Sequence, residues 1–375
     1  MNKNLLLKNN PKEDNNQNNE LIQINKLLND EIYKIKKKCI SIIKKIGKGY
    51  FGIIYLAKYD NQHIALKVIK LEKKEQTVFD LNKKMILYEM NTHMNLHHLN
   101  IIKSFLNISF MNENLNYFVI FQYLANFKDL SNFIYSLQKK NIYNLTNNTN
   151  KFKFLYYLSE NSIKFIIKQI FLGLFCLHEH NIIHCDIKPS NILIHNFIMM
   201  ITDFSIIVPL QKTKYTYINF GTKIYSPIES YFRETLTCNV FKVDYFGIGC
   251  IIFELLTKEV LINMEIEQKT KDKYIVFNKI IYERINNLKN LNRKKGTNYS
   301  KKFIDFVIGL IIPDPSLRFG FKEIIQNLFI NNDDKIIKNI YSINRYEKGL
   351  KLFIELQKDI KNLNNFKKRR KYIIN

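Results

Sequence analysis

From Cys39 onward the chain alternates short β-branched and aromatic runs with turn residues. CISIIKKIGKGYFGIIYLAKYDNQHIALKVIKL, broken by Gly and by Asp-Asn-Gln, predicts three antiparallel strands. Between Thr77 and His98 the apolar residues Phe79, Leu81, Ile86, Leu87, Met90 and Met94 fall at helical spacing, and strand-like runs follow at 101–110 and 115–123. Residues 139–153, KKNIYNLTNNTNKFK, are low in complexity and read as a loop insertion. Beyond them the pattern turns helical, with Ile163, Ile166, Ile167, Ile170, Leu174 and Leu177 on one stripe. Residues 1–38 read as an Asn-rich tail with room for one helix at the amphipathic stretch near Leu21–Leu28, and residues 331–375 as a basic extension. The pattern predicts an α+β protein: a small β-rich lobe over 39–123 and a larger helical lobe over 124–330, joined near Gln122–Asn126, without internal repeats.

Composition supports that division. With 375 residues and 46% hydrophobic content the chain can bury a core of about two domains at roughly 150 residues each. Five cysteines give no disulfide framework, which points to a reducing compartment. The run Leu5–Leu7 is too short for a signal peptide, and the longest apolar stretch, Ile163–Ile183, is broken by Lys164, Lys168, His178 and Glu179. An intracellular protein without a membrane span is expected, cytoplasmic and with a nuclear share if the C-terminal basic run directs it there. Lys+Arg 58 against Asp+Glu 33 gives a net charge of +25, but Lys, Asn and Ile are over-used from end to end, so the charge predicts no specific nucleic-acid partner. The run Lys367–Lys371 (KKRRK) reads as a nuclear localisation signal, an anionic-surface contact or a solvated tail.

Candidate chemistry is concentrated in a few places. Gly47-Lys48-Gly49-Tyr50-Phe51-Gly52, followed by Ile54, lies between two predicted strands. Glycines so spaced let a hairpin backbone approach a polyphosphate with its N–H groups facing the oxygens; a plain Lys-rich hairpin is the alternative. Lys67 stands in the apolar run Ile64-Ala65-Leu66 and needs an anion if it is buried; a strand-edge lysine in water is the alternative. Glu89 on the following helix is its candidate partner. In Ile182-Ile183-His184-Cys185-Asp186-Ile187-Lys188-Pro189-Ser190-Asn191-Ile192-Leu193, Asp186 can orient a hydroxyl and accept its proton, Lys188 can neutralise a transferred phosphoryl group, and Asn191 can hold magnesium. Asp203, after the apolar run Ile198–Ile201, offers a second hard oxygen, which suits magnesium rather than zinc.

In this order and spacing the motifs resemble the eukaryotic protein kinase family over roughly Cys39 to Ile330. The resemblance implies the two-lobed kinase fold, ATP and Mg2+ as cofactors, and a protein substrate. It implies Asp186 as catalytic base, assisted by Lys188, Lys67, Glu89 and Thr222, with Mg2+ on Asn191 and Asp203. It places the loop Gly47, Lys48, Gly49, Tyr50, Phe51 and Gly52 over the phosphates, and Ile54, Ala65 and Leu193 around adenine. Phe121 is expected at the back of the nucleotide pocket, with Gln122, Tyr123 and Leu124 as the hinge. Gly221-Thr222 through Glu229 resembles the end of the activation segment, Asp244 through Glu254 the central helix, and Asp314-Pro315-Ser316-Leu317-Arg318 a motif whose arginine pairs with Glu229. Lys188 with Thr222 resembles serine/threonine kinases. All five polar groups, Lys67, Glu89, Asp186, Asn191 and Asp203, are present, so an active enzyme is expected; the alternative is a pseudokinase scaffold.

Several positions depart from that pattern. Cys185 replaces an arginine that binds an activation-loop phosphate, and a neutral thiol cannot do so, so no phosphate clamp on Thr213, Tyr215, Thr216 or Tyr217 is expected. Ser205 replaces a glycine, Pro227-Ile228-Glu229 stands for Ala-Pro-Glu, and Ser190 stands at a usually acidic position. His93 and Ser104 are polar where the internal spine of the family is apolar. Tyr215-Thr216-Tyr217 and His184-Cys185-Asp186 resemble the dual-specificity tyrosine-regulated kinases, from which two extra residues before Glu229 and the Gly221-Thr222 pair set the chain apart.

Overall fold

Strands β1 (Ile40–Lys48), β2 (Gly52–Tyr59), β3 (Gln62–Glu72), β4 (Ser104–Asn112) and β5 (Leu115–Tyr123) form one antiparallel sheet in the order β1-β2-β3-β5-β4. The computed structural model describes residues 11–143, 157–209, 221–230, 240–262, 273–292 and 297–329. They divide into a β-rich unit, which runs to His97 and includes Ile102–Ala125, and a helical unit of His98–Ile101 and the chain from Asn126. The α+β class is the one the hydrophobic pattern predicts.

Because side chains alternate across a strand, pairing sorts the sheet into two faces. Ile64, Leu66 and Val68 of β3 share one face with Tyr117, Val119 and Phe121 of β5; Ala65, Lys67 and Ile69 share the other with Phe118, Ile120 and Gln122. Helix α2 (Gln76–Asn95) covers the second face, where Ile86 and Met90 pack on Ile69, Phe118 and Ile120. Helix α1 (Pro11–Lys36) packs on the first, through Ile24, Leu28 and Ile32. These recur every fourth residue, so they form one helical stripe. Two asparagines on the same helix tie down the edge strand: Asn25 Oδ1 accepts from the Ile42 N–H at 2.8 Å and Asn29 Oδ1 from the Ile40 N–H at 3.0 Å.

Helix α1 corrects the reading of residues 1–38 as a polar tail, since Leu28 and Ile32 are fully buried. Its stripe holds few aliphatics among many Asn and Lys, and the sheet face that receives it is invisible in a linear pattern. The predicted strand at 101–110 starts late, at Ser104; Ile101 instead bridges Ile201 in the helical unit.

The helical unit contains α3 (Leu130–Tyr143), α4 (Glu160–Glu179), α5 (Lys242–Thr257), α6 (Lys273–Lys289), α7 (Lys301–Ile311) and α8 (Phe321–Leu328), with two antiparallel strand pairs, β6 (Ile182–Ile183) on β9 (Val208–Pro209) and the hairpin β7 (Ile192–His195) on β8 (Ile198–Ile201). Every residue of the predicted stripe on α4 is buried. The Ser159 hydroxyl caps this helix by accepting from the Ser162 N–H at 3.1 Å. Helix α5 is buried on nearly every side, which its Phe246-Gly247-Ile248-Gly249-Cys250-Ile251-Ile252-Phe253 run requires. Helix α3 runs five residues into the predicted loop insertion, with Leu130, Ile134 and Leu137 continuing one apolar stripe; residues 144–153 lie outside the described residues, as does the basic extension 331–375. Among the described residues no helix is long and apolar enough to cross a membrane.

Leu28→Ala should lower unfolding free energy by about 2–5 kcal/mol, the usual cost of emptying a fully buried leucine site. Chemical denaturation checks this, and an unchanged midpoint would show that α1 does not belong to the core.

Candidate active site

The sequence-predicted site residues fall in both units. Gly47–Gly52, Ile54, Ala65, Lys67, Glu89 and Phe121–Leu124 belong to the β-rich unit; Asp186, Lys188, Asn191, Leu193, Asp203 and Thr222 belong to the helical one.

In the β-rich unit the hairpin between β1 and β2 closes through the Gly49 N–H, which donates to the Gly52 carbonyl at 2.8 Å. A Cβ on Gly52 would sit 2.4 Å from the Val68 carbonyl oxygen, so this position accepts only glycine. Tyr50 at the tip is exposed, whereas Phe51 turns back onto the cluster under α2. Ile54 pairs with Lys67 across the sheet and so shares its face. Lys67 is 2% exposed and Glu89 fully buried, and the Lys67 Nζ donates to Glu89 Oε1 at 2.6 Å. The pairing therefore resolves the buried-lysine alternative: the ammonium is inside and has its carboxylate.

The register corrects one expectation. Phe121 was expected at the back of the nucleotide pocket, but it pairs with Leu66 and lies on the α1 face, with Tyr59 and Phe105 rings against it at 5.3 and 5.9 Å. Gln122 pairs with Ala65, shares the face of Lys67, and is 5% exposed. The inward position thus belongs to Gln122, and Tyr123 and Leu124 follow it. A one-residue shift moves every side chain to the opposite face, and the stretch Tyr117–Phe121 is apolar on both faces, so it has no period of its own.

In the helical unit three predicted residues, Lys188, Asn191 and Thr222, meet on the Asp186 carboxylate. Lys188 Nζ lies 2.6 Å from Asp186 Oδ2, the Asn191 side-chain amide donates to the same oxygen at 3.0 Å, and the Thr222 N–H donates to Oδ1 at 2.8 Å. Lys188 also donates to the Thr222 hydroxyl at 2.6 Å. Gly221 makes this approach possible: its φ is +102°, and a Cβ there would meet the Cys185 carbonyl oxygen at 2.4 Å.

The loop that carries Asp186 is held from beneath by Asp244 at the start of α5. Its Oδ2 accepts from the His184 N–H at 2.9 Å and its Oδ1 from the Cys185 N–H at 2.8 Å, while His178 Nε2 lies 2.9 Å from Oδ2. Cys185 is buried with φ of +65°, so the thiol lies in the core beneath the loop. His184 Nδ1 accepts from the Asp186 N–H at 3.2 Å, which makes Nε2 the donor to the Thr202 carbonyl at 3.1 Å. The role of Asp244 was not foreseen; its signal was a carboxylate opening a helix that is apolar from Phe246 to Phe253.

The β7–β8 hairpin brings Asn191 opposite Thr202, the residue before Asp203. It turns at Asn196 and Phe197, both with positive φ, and the Thr202 N–H donates to the Asn191 carbonyl at 3.0 Å. Leu193 on this hairpin bridges to Asp129. Asp203 has φ of +64°, and the Ser205 hydroxyl donates to its carboxylate. An amide oxygen and a carboxylate are hard donors that fit Mg2+, a cation that takes only one or two protein ligands beside phosphates and water.

Further along, Arg318 is 1% exposed and forks onto Glu229: Nη1 donates to Oε1, and Nη2 to Oε2 at 3.2 Å. Its remaining donors reach the Ile312 and Pro313 carbonyls at 3.0 and 2.8 Å, and the guanidinium lies 4.9 Å from the Phe246 ring centre. The Tyr225 hydroxyl donates to Glu254 Oε2 at 2.8 Å; burial pushes both the Glu254 carboxyl and the Tyr225 phenol up. Residues 210–220, which include Thr213, Tyr215, Thr216 and Tyr217, lie outside the described residues.

The protein kinase domain family model matches residues 40–330. The chain is 22% identical to mitogen-activated protein kinase 5 of Arabidopsis thaliana, over 83% of each chain. It is 25% identical to the CTD kinase subunit alpha of Saccharomyces cerevisiae over 81% of this chain, and 30% identical to dual specificity tyrosine-phosphorylation-regulated kinase 2 of Drosophila melanogaster over 58% of it. The chain spans 58% and 27% of the length of those last two relatives.

Arg318→Met should cost about 3–5 kcal/mol of stability, because it leaves the Glu229 carboxylate largely buried without its cation. Thermal and chemical unfolding measure this; a variant as stable as the parent would show that the pair is not holding the segment around Glu229.

Proposed function

The chain belongs to the protein kinase family, and we propose that it transfers the γ-phosphate of ATP to serine and threonine hydroxyls of proteins. The observation that carries the proposal is the Asp186 carboxylate, on which Lys188, Asn191 and the Thr222 N–H converge within 3.0 Å. Asp186 orients the substrate hydroxyl and takes its proton as that oxygen bonds to the γ-phosphorus and the bond to the β-phosphate oxygen breaks. Lys188, already paired with Asp186, faces the charge that builds on the transferred group, and Thr222 fixes both side chains. Lys67, held by Glu89, contacts the α and β phosphates, and the Gly47–Gly52 hairpin offers them backbone N–H groups. Asn191 and Asp203 would hold Mg2+, which when bound neutralises phosphate charge. Ile54, Ala65 and Leu193 remain the proposed adenine contacts, with Tyr123 and Leu124 following the inward-facing Gln122.

We place this activity inside the cell. The Lys367–Lys371 run is the candidate nuclear signal, and a fluorescent fusion lacking residues 366–375 should lose nuclear signal; an unchanged distribution removes that role.

With ATP and Mg2+, purified protein should phosphorylate a protein substrate, and Asp186→Asn should reduce kcat by about 10²–10⁴-fold, the scale of a lost general base. Nucleotide should still raise the melting temperature of that variant. Nucleotide-stabilised folding with no turnover in the parent chain would overturn the enzyme reading in favour of a pseudokinase scaffold.

A further inference from the structure

We propose that His93 and Gln122 form a buried polar strut that sets the rotation of α2 and so holds Glu89 at Lys67, which makes His93 a positioning residue. The inference rests on the proposed role of the Lys67–Glu89 pair. His93 lies one helical turn after Glu89 on the same side of α2, and both are fully buried. Its Nε2 lies 3.7 Å from Glu89 Oε1 and 3.2 Å from the Gln122 side-chain nitrogen. Gln122 stands opposite Ala65 on β3 and Ser104 on β4. Lys67, Glu89, His93 and Gln122 therefore form one polar chain from β3 through α2 to β5, beside the apolar cluster of Ile69, Ile86, Met90, Phe118 and Ile120.

Apolar packing attracts without direction, so Ile86 and Met90 alone leave α2 free to turn or slide on the sheet. A hydrogen bond imposes distance and angle. Placed one turn beyond Glu89, the His93–Gln122 contact fixes the rotation on which the 2.6 Å approach to Lys67 depends. An apolar pair at these positions would pack without the desolvation cost of two polar groups, but it would not specify that rotation.

The test measures kcat, KM for ATP and ATP affinity for His93→Leu, Gln122→Met, the double variant and His93→Gln. Each of the first two should lower kcat/KM and ATP affinity by about tenfold or more, a modest share of the loss that ~1 Å of misplacement produces. The double variant should be no worse than the poorer single one, because both break the same contact. His93→Gln, whose amide can also meet Gln122, should recover most of the loss at whatever melting temperature it shows. Parent-like values for His93→Leu, multiplying losses in the double variant, or a His93→Gln no better than His93→Leu would each overturn the strut. Should circular dichroism show His93→Leu unfolded, the comparison of Gln122→Met with His93→Gln decides. Full activity in Lys67→Met would instead bring down the proposed role of the pair, whereas an inactive Lys67→Met beside a parent-like His93→Leu would bring down the strut alone. If the parent chain shows no turnover, ATP affinity carries the same comparisons.

Discussion

The β-rich unit is organised around a buried ion pair. Lys67 and Glu89 are taken almost wholly out of water, and their mutual attraction offsets that cost only if they meet with good geometry. Good geometry requires β3 to turn Lys67 toward α2, and α2 to present Glu89 at that height and rotation. The sheet register, the close approach of β2 at Gly52 and the His93–Gln122 contact all serve this condition. Helix α1 acts from the other side, where it covers the opposite face of the sheet and tethers the edge strand through Asn25 and Asn29. With both faces covered, β3 can be buried for six consecutive residues, one of them a lysine.

The helical unit uses the same device on irregular backbone. Loops have N–H and C=O groups that no ladder satisfies, and inside a protein these need side-chain partners. Asp244 accepts from two successive N–H groups beneath Asp186, and Arg318 donates to two carbonyls while it clamps Glu229. The residues that would do chemistry thus stand on loops whose shape is set by buried charges, Asp244 on α5 and Arg318 between α7 and α8. Cys185 and Asp203 take positive φ on these loops, and Gly221 takes φ of +102° with no Cβ to oppose it. The Cys185 substitution fits this arrangement, because the thiol fills a buried position under the loop and leaves the Asp244 contacts to the backbone.

Much of this was legible in the residues themselves. The three strands after Cys39, the stripe of α4 and the Lys67–Glu89 pairing follow from types and spacings, and the Arg318–Glu229 pairing from the family resemblance. Helix α1 was half legible: its amphipathic stretch can be seen, but three aliphatics among asparagines look like a tail until the sheet face that receives them is known. The extension of α3 into the low-complexity run was hidden for a similar reason, since polar composition conceals a helix that is anchored by Leu130, Ile134 and Leu137.

By itself the sequence determined which chemical groups the protein carries, their order along the chain, and therefore its family. Tertiary structure decided which way those groups face. The exchange between Phe121 and Gln122 shows why: β5 is apolar on both sides, and only hydrogen-bonded pairing with β3 assigns one residue to the α1 face and the next to the face of Lys67. Hydrophobic burial is non-directional and leaves such a strand two equivalent settings, whereas backbone pairing, which joins residues far apart in sequence, permits one.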